Sequence, residues 1–202
     1  MARFDYSSKC AHPRICQRLM QDFLQDACTL TWENELVEIL GKDEKGWPIF
    51  GDHIFEEVFC KISVKKGPCF RTYICENKQE TLEIFYNYTT LNTKCLGHVE
   101  FNKNIHLRAF HTKGFSWLTL SLLHELGHQE TEEKVPCYYN RAKAIEKIHK
   151  MYKKSCREAH QAYFALPDEY LATQWAIDWL AVPENRKKAK AFEKAFFKAW
   201  RG

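Results

Sequence analysis

Apolar side chains recur at helical spacing near the start of the chain and again through its C-terminal half. Proline marks several expected boundaries, because it is favoured in the first turn of a helix and cannot continue one. The stretch after residue 115 is rich in leucine, which is typical of a buried helix. The pattern predicts five helices: 13–30, 116–130, 141–163, one beginning at Pro167 and one beginning at Pro183.

The middle of the chain has a different pattern. Residues 41–53 hold three glycines, a proline and several charges, which predicts a loop. After residue 55, short β-branched or aromatic runs are separated by turn-forming residues. Together with the flanking helices they predict an α+β fold with a small, mostly antiparallel sheet. The expected strands are 58–64, 70–75 and 82–88, with one or two more within 97–110.

Length and charge set the scale of the protein. A chain of 202 residues with 45% apolar residues predicts one domain over 1–202, with 1–50 as an N-terminal helical extension. The net charge of +4 is too small to demand or exclude an acidic partner. The lysine-rich faces within 143–157 and 186–201 could bind nucleic acid or could be the solvated sides of amphipathic helices, so direct nucleic-acid binding stays open.

The nine cysteines are more numerous than usual, but they form no Cys-x-x-Cys pair. Their odd number argues against a complete disulfide framework. The N-terminal residues lack the apolar core of a signal peptide, and no run approaches the roughly 18 apolar residues of a membrane span. We therefore expect a cytoplasmic protein with no membrane partner. Its cysteines, including Cys137 and Cys156, are expected to be reduced and mostly buried in the core.

The sequence His124-Glu125-Leu126-Gly127-His128 carries the clearest chemical signal. Residues four apart lie on one face of a helix, so the two histidines can bind one metal ion. Glu125 lies beside the first histidine and can act as a general base toward water activated by that ion. Gly127 has no side chain and would let another backbone approach. The motif predicts Zn²⁺ bound by His124 and His128, with Glu125 as the catalytic residue.

A catalytic zinc ion takes three ligands from the protein, so a third ligand is needed. Asp168 and Glu169 begin the helix that follows Pro167, and a packed helix could present either one to the metal. Periodicity does not choose between them. Asp168 is nearer the centre of the apolar stripe and Glu169 nearer its edge, and both could merely favour the helix dipole.

Residues 120–128 and 166–183 resemble the ImmA/IrrE family of metallopeptidases, in which a His-Glu-x-Gly-His helix is paired with a downstream Glu-x-x-Ala-x-x-Phe-Ala helix. The resemblance implies a zincin-like fold and Glu169 as the third ligand. It also implies hydrolysis of peptide bonds in a protein substrate, typically a transcriptional regulator or repressor. The intervening segment 129–168 is longer than is typical of the family. The matching residues of the second motif are Glu169, Ala172, Trp175 (in place of Phe) and Ala176.

Two other functions remain open on the sequence. A SprT-like protease acting near DNA would take a histidine as its third ligand, and His149 and His160 are the downstream candidates. Alternatively, the chain could be a non-cleaving module that binds metal and sequesters a regulator. His106 and His111 precede the motif helix and could lie near its cleft.

Overall fold

A computed structural model describes residues 10–66, 71–74, 81–86 and 115–202 of the chain. Within these ranges the fold combines α-helices with two small sheets. A short 3-10 helix, Glu132–Lys134, follows the second α-helix. The described α-helices are α1 (Pro13–Ala27), α2 (Trp117–Glu130), α3 (Arg141–Tyr152), α4 (Cys156–Phe164), α5 (Pro167–Ala181) and α6 (Pro183–Arg201).

The described strands form two sheets instead of the single sheet expected. One is an antiparallel hairpin and the other has the strand order β3-β5-β4. In the second sheet β3 is parallel to β5, whereas β4 is antiparallel to β5. The additional strands expected within 97–110, and with them His106 and His111, lie outside the described residues. The strands are β1 (Thr31–Lys42), β2 (Pro48–Phe59), β3 (Lys61–Lys66), β4 (Arg71–Ile74) and β5 (Thr81–Tyr86).

The β1–β2 hairpin corrects two expectations. The loop predicted over 41–53 is limited to the turn between the strands, where the Asp43 carboxylate accepts hydrogen bonds from the backbone N–H groups of Lys45 and Trp47 at 2.8 and 2.9 Å. Gly46 supplies the positive φ of 83° that this turn needs. Of the predicted helical extension 1–50, the described part, residues 10–50, is only partly helical, because β1 and the start of β2 follow α1.

The single helix predicted over 141–163 is two helices. α3 ends at Tyr152 and α4 begins at Cys156. Between them, the Ser155 side chain accepts a hydrogen bond from the backbone N–H of Glu158 at 3.2 Å. This N-cap satisfies a backbone donor that would otherwise lack a partner at the start of a helix, and so it favours a new helix at this point.

The first and last helices of the described chain pack against each other. The rings of Phe23 in α1 and Phe192 in α6 stack with centroids 4.4 Å apart. The backbone N–H of Ala11 donates to the carbonyl of Trp200 at 3.0 Å, close to the end of α6. α1 is therefore part of the main hydrophobic core and not an appended extension.

The six cysteines among the described residues form no disulfide bond with one another. Cys16 and Cys60 are buried, and burial together with the neighbouring Cys10 thiol raises the pKa of Cys16 to about 12. Cys137 and Cys156 are exposed, so the expectation that they lie in the core is wrong. Among the described helices, none combines the length and apolar character needed to cross a membrane.

The motif helix α2 packs closely on α5 at Gly127. A Cβ atom added at Gly127 would lie 2.5 Å from the carbonyl oxygen of Ala172 and 3.0 Å from its Cα atom. Real Cβ atoms do not come this close to backbone, so only glycine allows the observed separation of the two helices. The sequence prediction that Gly127 admits another backbone is confirmed.

We expect Gly127→Ala to lower the stability of the protein. Alanine would gain about 1 kcal/mol in helix propensity, but the added methyl group meets backbone atoms that have little room to move. Overpacking of this kind costs about 1–3 kcal/mol, and backbone contact favours the upper end. Urea unfolding of both proteins in the presence of a chelator measures the difference. An alanine variant as stable as the parent would contradict the close crossing.

Candidate metal centre

The start of α2 is fixed before the motif begins. Ser116 is its N-cap, and its hydroxyl accepts from the backbone N–H of Thr119 at 3.4 Å. The Glu193 carboxylate of α6 accepts from the backbone N–H of Ser116 at 2.5 Å and from the Thr119 hydroxyl at 2.6 Å. α2 is therefore anchored to the C-terminal helix. The helix also has five buried leucines that hold it in the core: Leu118, Leu120, Leu122, Leu123 and Leu126.

His124 and His128 of α2 converge on Glu169 of α5. The Nε2 atom of His124 lies 3.1 Å from Oε2 of Glu169, and Nε2 of His128 lies 3.8 Å from the same oxygen. Ligand atoms about 2.0–2.2 Å from a tetrahedral zinc ion lie about 3.3–3.6 Å from one another, so these separations suit such an ion. Within the described residues, these three form the one group of three or more side chains arranged to hold a metal ion.

The hydrogen bonds of Thr173 place a proton on Nδ1 of His124 and so set the tautomer of the neutral ring. The Thr173 hydroxyl donates its single proton to the backbone carbonyl of Glu169 at 2.8 Å. It must therefore accept from Nδ1 of His124, which lies 3.0 Å away. Nδ1 then carries a proton, and Nε2 of a neutral imidazole directs its lone pair toward the Glu169 carboxylate. Two acceptors that face each other need a shared cation, which can be a proton or a metal ion.

Electrostatics within the site favour an ionised Glu169. Burial raises the pKa of this carboxyl, but hydrogen bonding and the charge of His124 outweigh burial and hold the pKa at about 2. Burial lowers the pKa of His124, but the hydrogen bond and the charge of Glu169 raise it by more, so the pKa of His124 is raised overall. Burial and the charge of His124 lower the pKa of His128 to about 4, which keeps it neutral as a metal ligand must be.

Glu125 lies beside this group but does not join it. No side chain in the described part of the protein donates a hydrogen bond to its carboxylate. Burial raises the pKa of Glu125 to about 7, although the charge of His124 partly opposes this. Burial acts in this direction because it disfavours the charged form of a carboxyl group. A carboxylate with a pKa near neutral is well matched to accept and return a proton.

The two adjacent carboxylates of α5 have separate roles. Glu169 is 1% exposed and points its Oε2 atom at the histidines, whereas its Oε1 atom accepts from Arg141 at 2.8 Å. Asp168 points away from the histidines, where it pairs with Arg141 and accepts from the Tyr139 hydroxyl at 2.9 Å. The placement of Asp168 nearer the centre of the buried face was therefore wrong.

The other histidine candidates are not part of this group. His149 is exposed on α3. His160 is buried in α4, on the side where α4 packs against α3. Its Nδ1 atom lies 3.5 Å from the Cys156 sulfur. Sequence reasoning did not identify a role for Thr173 or Arg141. Thr173 had a usable signal, because it lies four residues after Glu169 and so on the same helix face.

Comparison of the chain with protein-family models, with curated proteins and with solved structures found no match.

Proposed function

We propose that this protein is a zinc metallopeptidase of the zincin type, related to the ImmA/IrrE enzymes. The observation that carries the proposal is the convergence of His124, His128 and the ionised Glu169, with Glu125 next to them. The orientation of His124 adds support, because its Nε2 lone pair and the Glu169 carboxylate face each other across a position that suits a cation. Two histidines and one carboxylate are a common ligand set for catalytic zinc.

Each residue of the site has a part in hydrolysis. Zinc, when bound, supplies Lewis-acid polarisation of the scissile carbonyl and lowers the pKa of water. Glu125 accepts a proton from the attacking water and returns it to the leaving amine, a task that suits its pKa of about 7. Thr173 holds His124 in the tautomer that leaves Nε2 available. Glu169 contributes a negative charge that is already present at neutral pH.

An extended peptide is the substrate form that the fold favours. β4 lies against α2, and it is an edge strand of its sheet among the described strands. Extended peptides bind edge strands through backbone hydrogen bonds, which would align a substrate beside the motif helix. A protein substrate cleaved at few sites, such as a transcriptional regulator, fits both this arrangement and the family resemblance.

The two alternative functions are less well supported. A SprT-like ligand set would need a histidine where the structure has Glu169, and neither His149 nor His160 lies with His124 and His128. A non-cleaving module would have no need for a partly buried glutamate beside the histidines. We therefore favour hydrolysis over sequestration.

We expect the purified protein to contain about one zinc ion per chain and to cut proteins only when zinc is present. Elemental analysis measures the metal. Cleavage is followed as new α-amino termini in a cell lysate treated with the native protein, the chelated protein and the chelated protein resupplied with zinc. Absence of zinc would overturn the metal assignment. Stoichiometric zinc without any new termini would favour the non-cleaving module.

A further inference from the structure

Arg141 contacts the candidate ligand Glu169 on the side opposite the histidines. Its Nη2 atom donates to Oε1 of Glu169 at 2.8 Å, and its Nη1 atom pairs with the carboxylate of Asp168. The same Nη2 atom lies 3.4 Å from the Tyr163 hydroxyl. One guanidinium thus bridges two successive carboxylates of α5, in the fork geometry that arginine provides and lysine does not.

The position of Arg141 is determined by the segment between the two metal-binding motifs. Arg141 is the first residue of α3, directly after its N-cap Asn140, whose side chain accepts from the backbone N–H of Lys143 at 2.9 Å. Tyr163 of α4 contributes its hydroxyl from the other arm of the same helix pair. Segment 129–168, which is longer than is typical of the ImmA/IrrE family, therefore reaches the metal centre through this arginine.

We propose that Arg141 is a positioning residue that makes Glu169 a ligand through one oxygen only. The inference rests on the proposed metal site. Arg141 occupies Oε1, so that Oε2 alone faces His124 and His128. A carboxylate that binds through both oxygens would take up an additional coordination position. By preventing this, Arg141 keeps a position at the metal for water and substrate.

Burial makes this contact important. The Glu169 side chain is only 2% exposed, so water cannot readily replace a lost donor at Oε1. Arg141 is 45% exposed at the side chain, which places it at the rim of the site. Removal of Arg141 would free Glu169 to rotate and leave a buried oxygen with fewer donors. Loss of such an outer partner typically weakens metal binding by about 10–100-fold.

The test compares Arg141→Gln and Arg141→Lys with the parent protein, and uses Arg157→Gln as a matched control. Arg157 is an exposed arginine in the first turn of the adjacent α4, and it contacts none of the site residues named here. Zinc affinity is measured by competition with a chelator. The absorption spectrum of the cobalt(II)-substituted protein reports coordination, because four-coordinate cobalt absorbs more strongly than cobalt with more ligands.

We expect Arg141→Gln to weaken zinc binding about 10–100-fold and to reduce the visible absorption of the cobalt-saturated protein. Arg141→Lys should recover part of the zinc affinity and part of the cobalt absorption. Lysine restores the positive charge but not the forked guanidinium that reaches both carboxylates. Arg157→Gln should match the parent. If Arg141→Gln lowers only thermal stability, with the cobalt spectrum and zinc affinity of the parent, Arg141 is merely structural and the inference is overturned. Failure of the parent itself to bind zinc would instead overturn the proposed function.

Discussion

Glu125→Gln is expected to reduce peptide hydrolysis by about 10²–10⁴-fold while the protein keeps its zinc, since this is the usual contribution of a general base. Glutamine has nearly the same shape as glutamate but cannot accept a proton at neutral pH. The geometry motivates the result, because Glu125 lies beside the three converging ligands without being one of them. Turnover of a cleaved peptide and zinc content are measured on the same preparations.

The pH profile adds a second readout to this experiment. Burial raises the pKa of Glu125 to about 7 in the metal-free protein, and the charge of bound zinc would lower it, so activity of the parent should rise with pH below neutrality as this carboxyl loses its proton. The glutamine variant should lack that rise in its residual activity. Loss of zinc from a folded Glu125→Gln protein would make Glu125 a ligand, and unchanged turnover would remove it from the mechanism.

Glu169→Gln should weaken zinc binding by more than about 100-fold. That value is the usual upper limit when a residue is lost that contacts a metal ligand but does not itself bind the metal. Two histidines alone leave too few protein ligands, and the amide lacks the negative charge that Glu169 carries at neutral pH. Asp168→Asn is the matched control, because it changes the neighbouring carboxylate in the same way. We expect it to cost about 10-fold or less, through its contact with Arg141. Titration of zinc into both apo variants against a chelator makes the comparison.

The pair of variants separates the possible ligand sets. If Asp168→Asn loses the metal and Glu169→Gln keeps it, the wrong carboxylate has been chosen. If both variants keep the metal, the third ligand lies elsewhere, and His160 becomes the first candidate. Circular dichroism of each variant shows whether a lost affinity reflects a lost ligand or a lost fold.

Local signals in the sequence predicted much of the site. The leucine-rich stretch indicated α2, and Pro167 and Pro183 marked the starts of α5 and α6, because each of these features acts on neighbouring residues alone. The spacing of the motif then placed His124 and His128 on one face. These predictions needed no knowledge of which elements meet in the folded chain.

Which of the two carboxylates of α5 faces the histidines was harder to predict, because the large side chains of that helix do not mark the centre of its buried face. The sequence predicted an inward face made of Leu171, Ala172, Trp175, Ala176 and Trp179. The two alanines are buried, but the leucine and the tryptophans are only partly buried. Two of the three positions of α5 at 0% exposure are small, Ala172 and Ala176, and the third is Leu180. A close helix crossing selects small residues, so a pattern weighted by side-chain size places the centre of the face wrongly. Glu169 lies in line with these alanines.

The remaining errors concern contacts between distant parts of the chain. The hairpin depends on pairing between β1 and β2, which the glycines of 41–53 obscured. Arg141 lies 28 residues before Glu169, and only the turn between α3 and α4 brings it to the site. No spacing rule connects these positions, because tertiary packing determines them.

The contact between α1 and α6 has a consequence for synthesis on the ribosome. Phe23 finds its stacking partner only at Phe192, and Cys16 donates to the Phe196 carbonyl 180 residues further along the chain. The part of α1 that packs on α6 therefore emerges long before its partner helix. Contacts this distant in sequence form slowly, because closing so long a loop carries an entropic cost. During translation the part of α1 that packs on α6 stays accessible to chaperones and proteases until α6 has left the exit tunnel, although β3 contacts another part of α1 earlier.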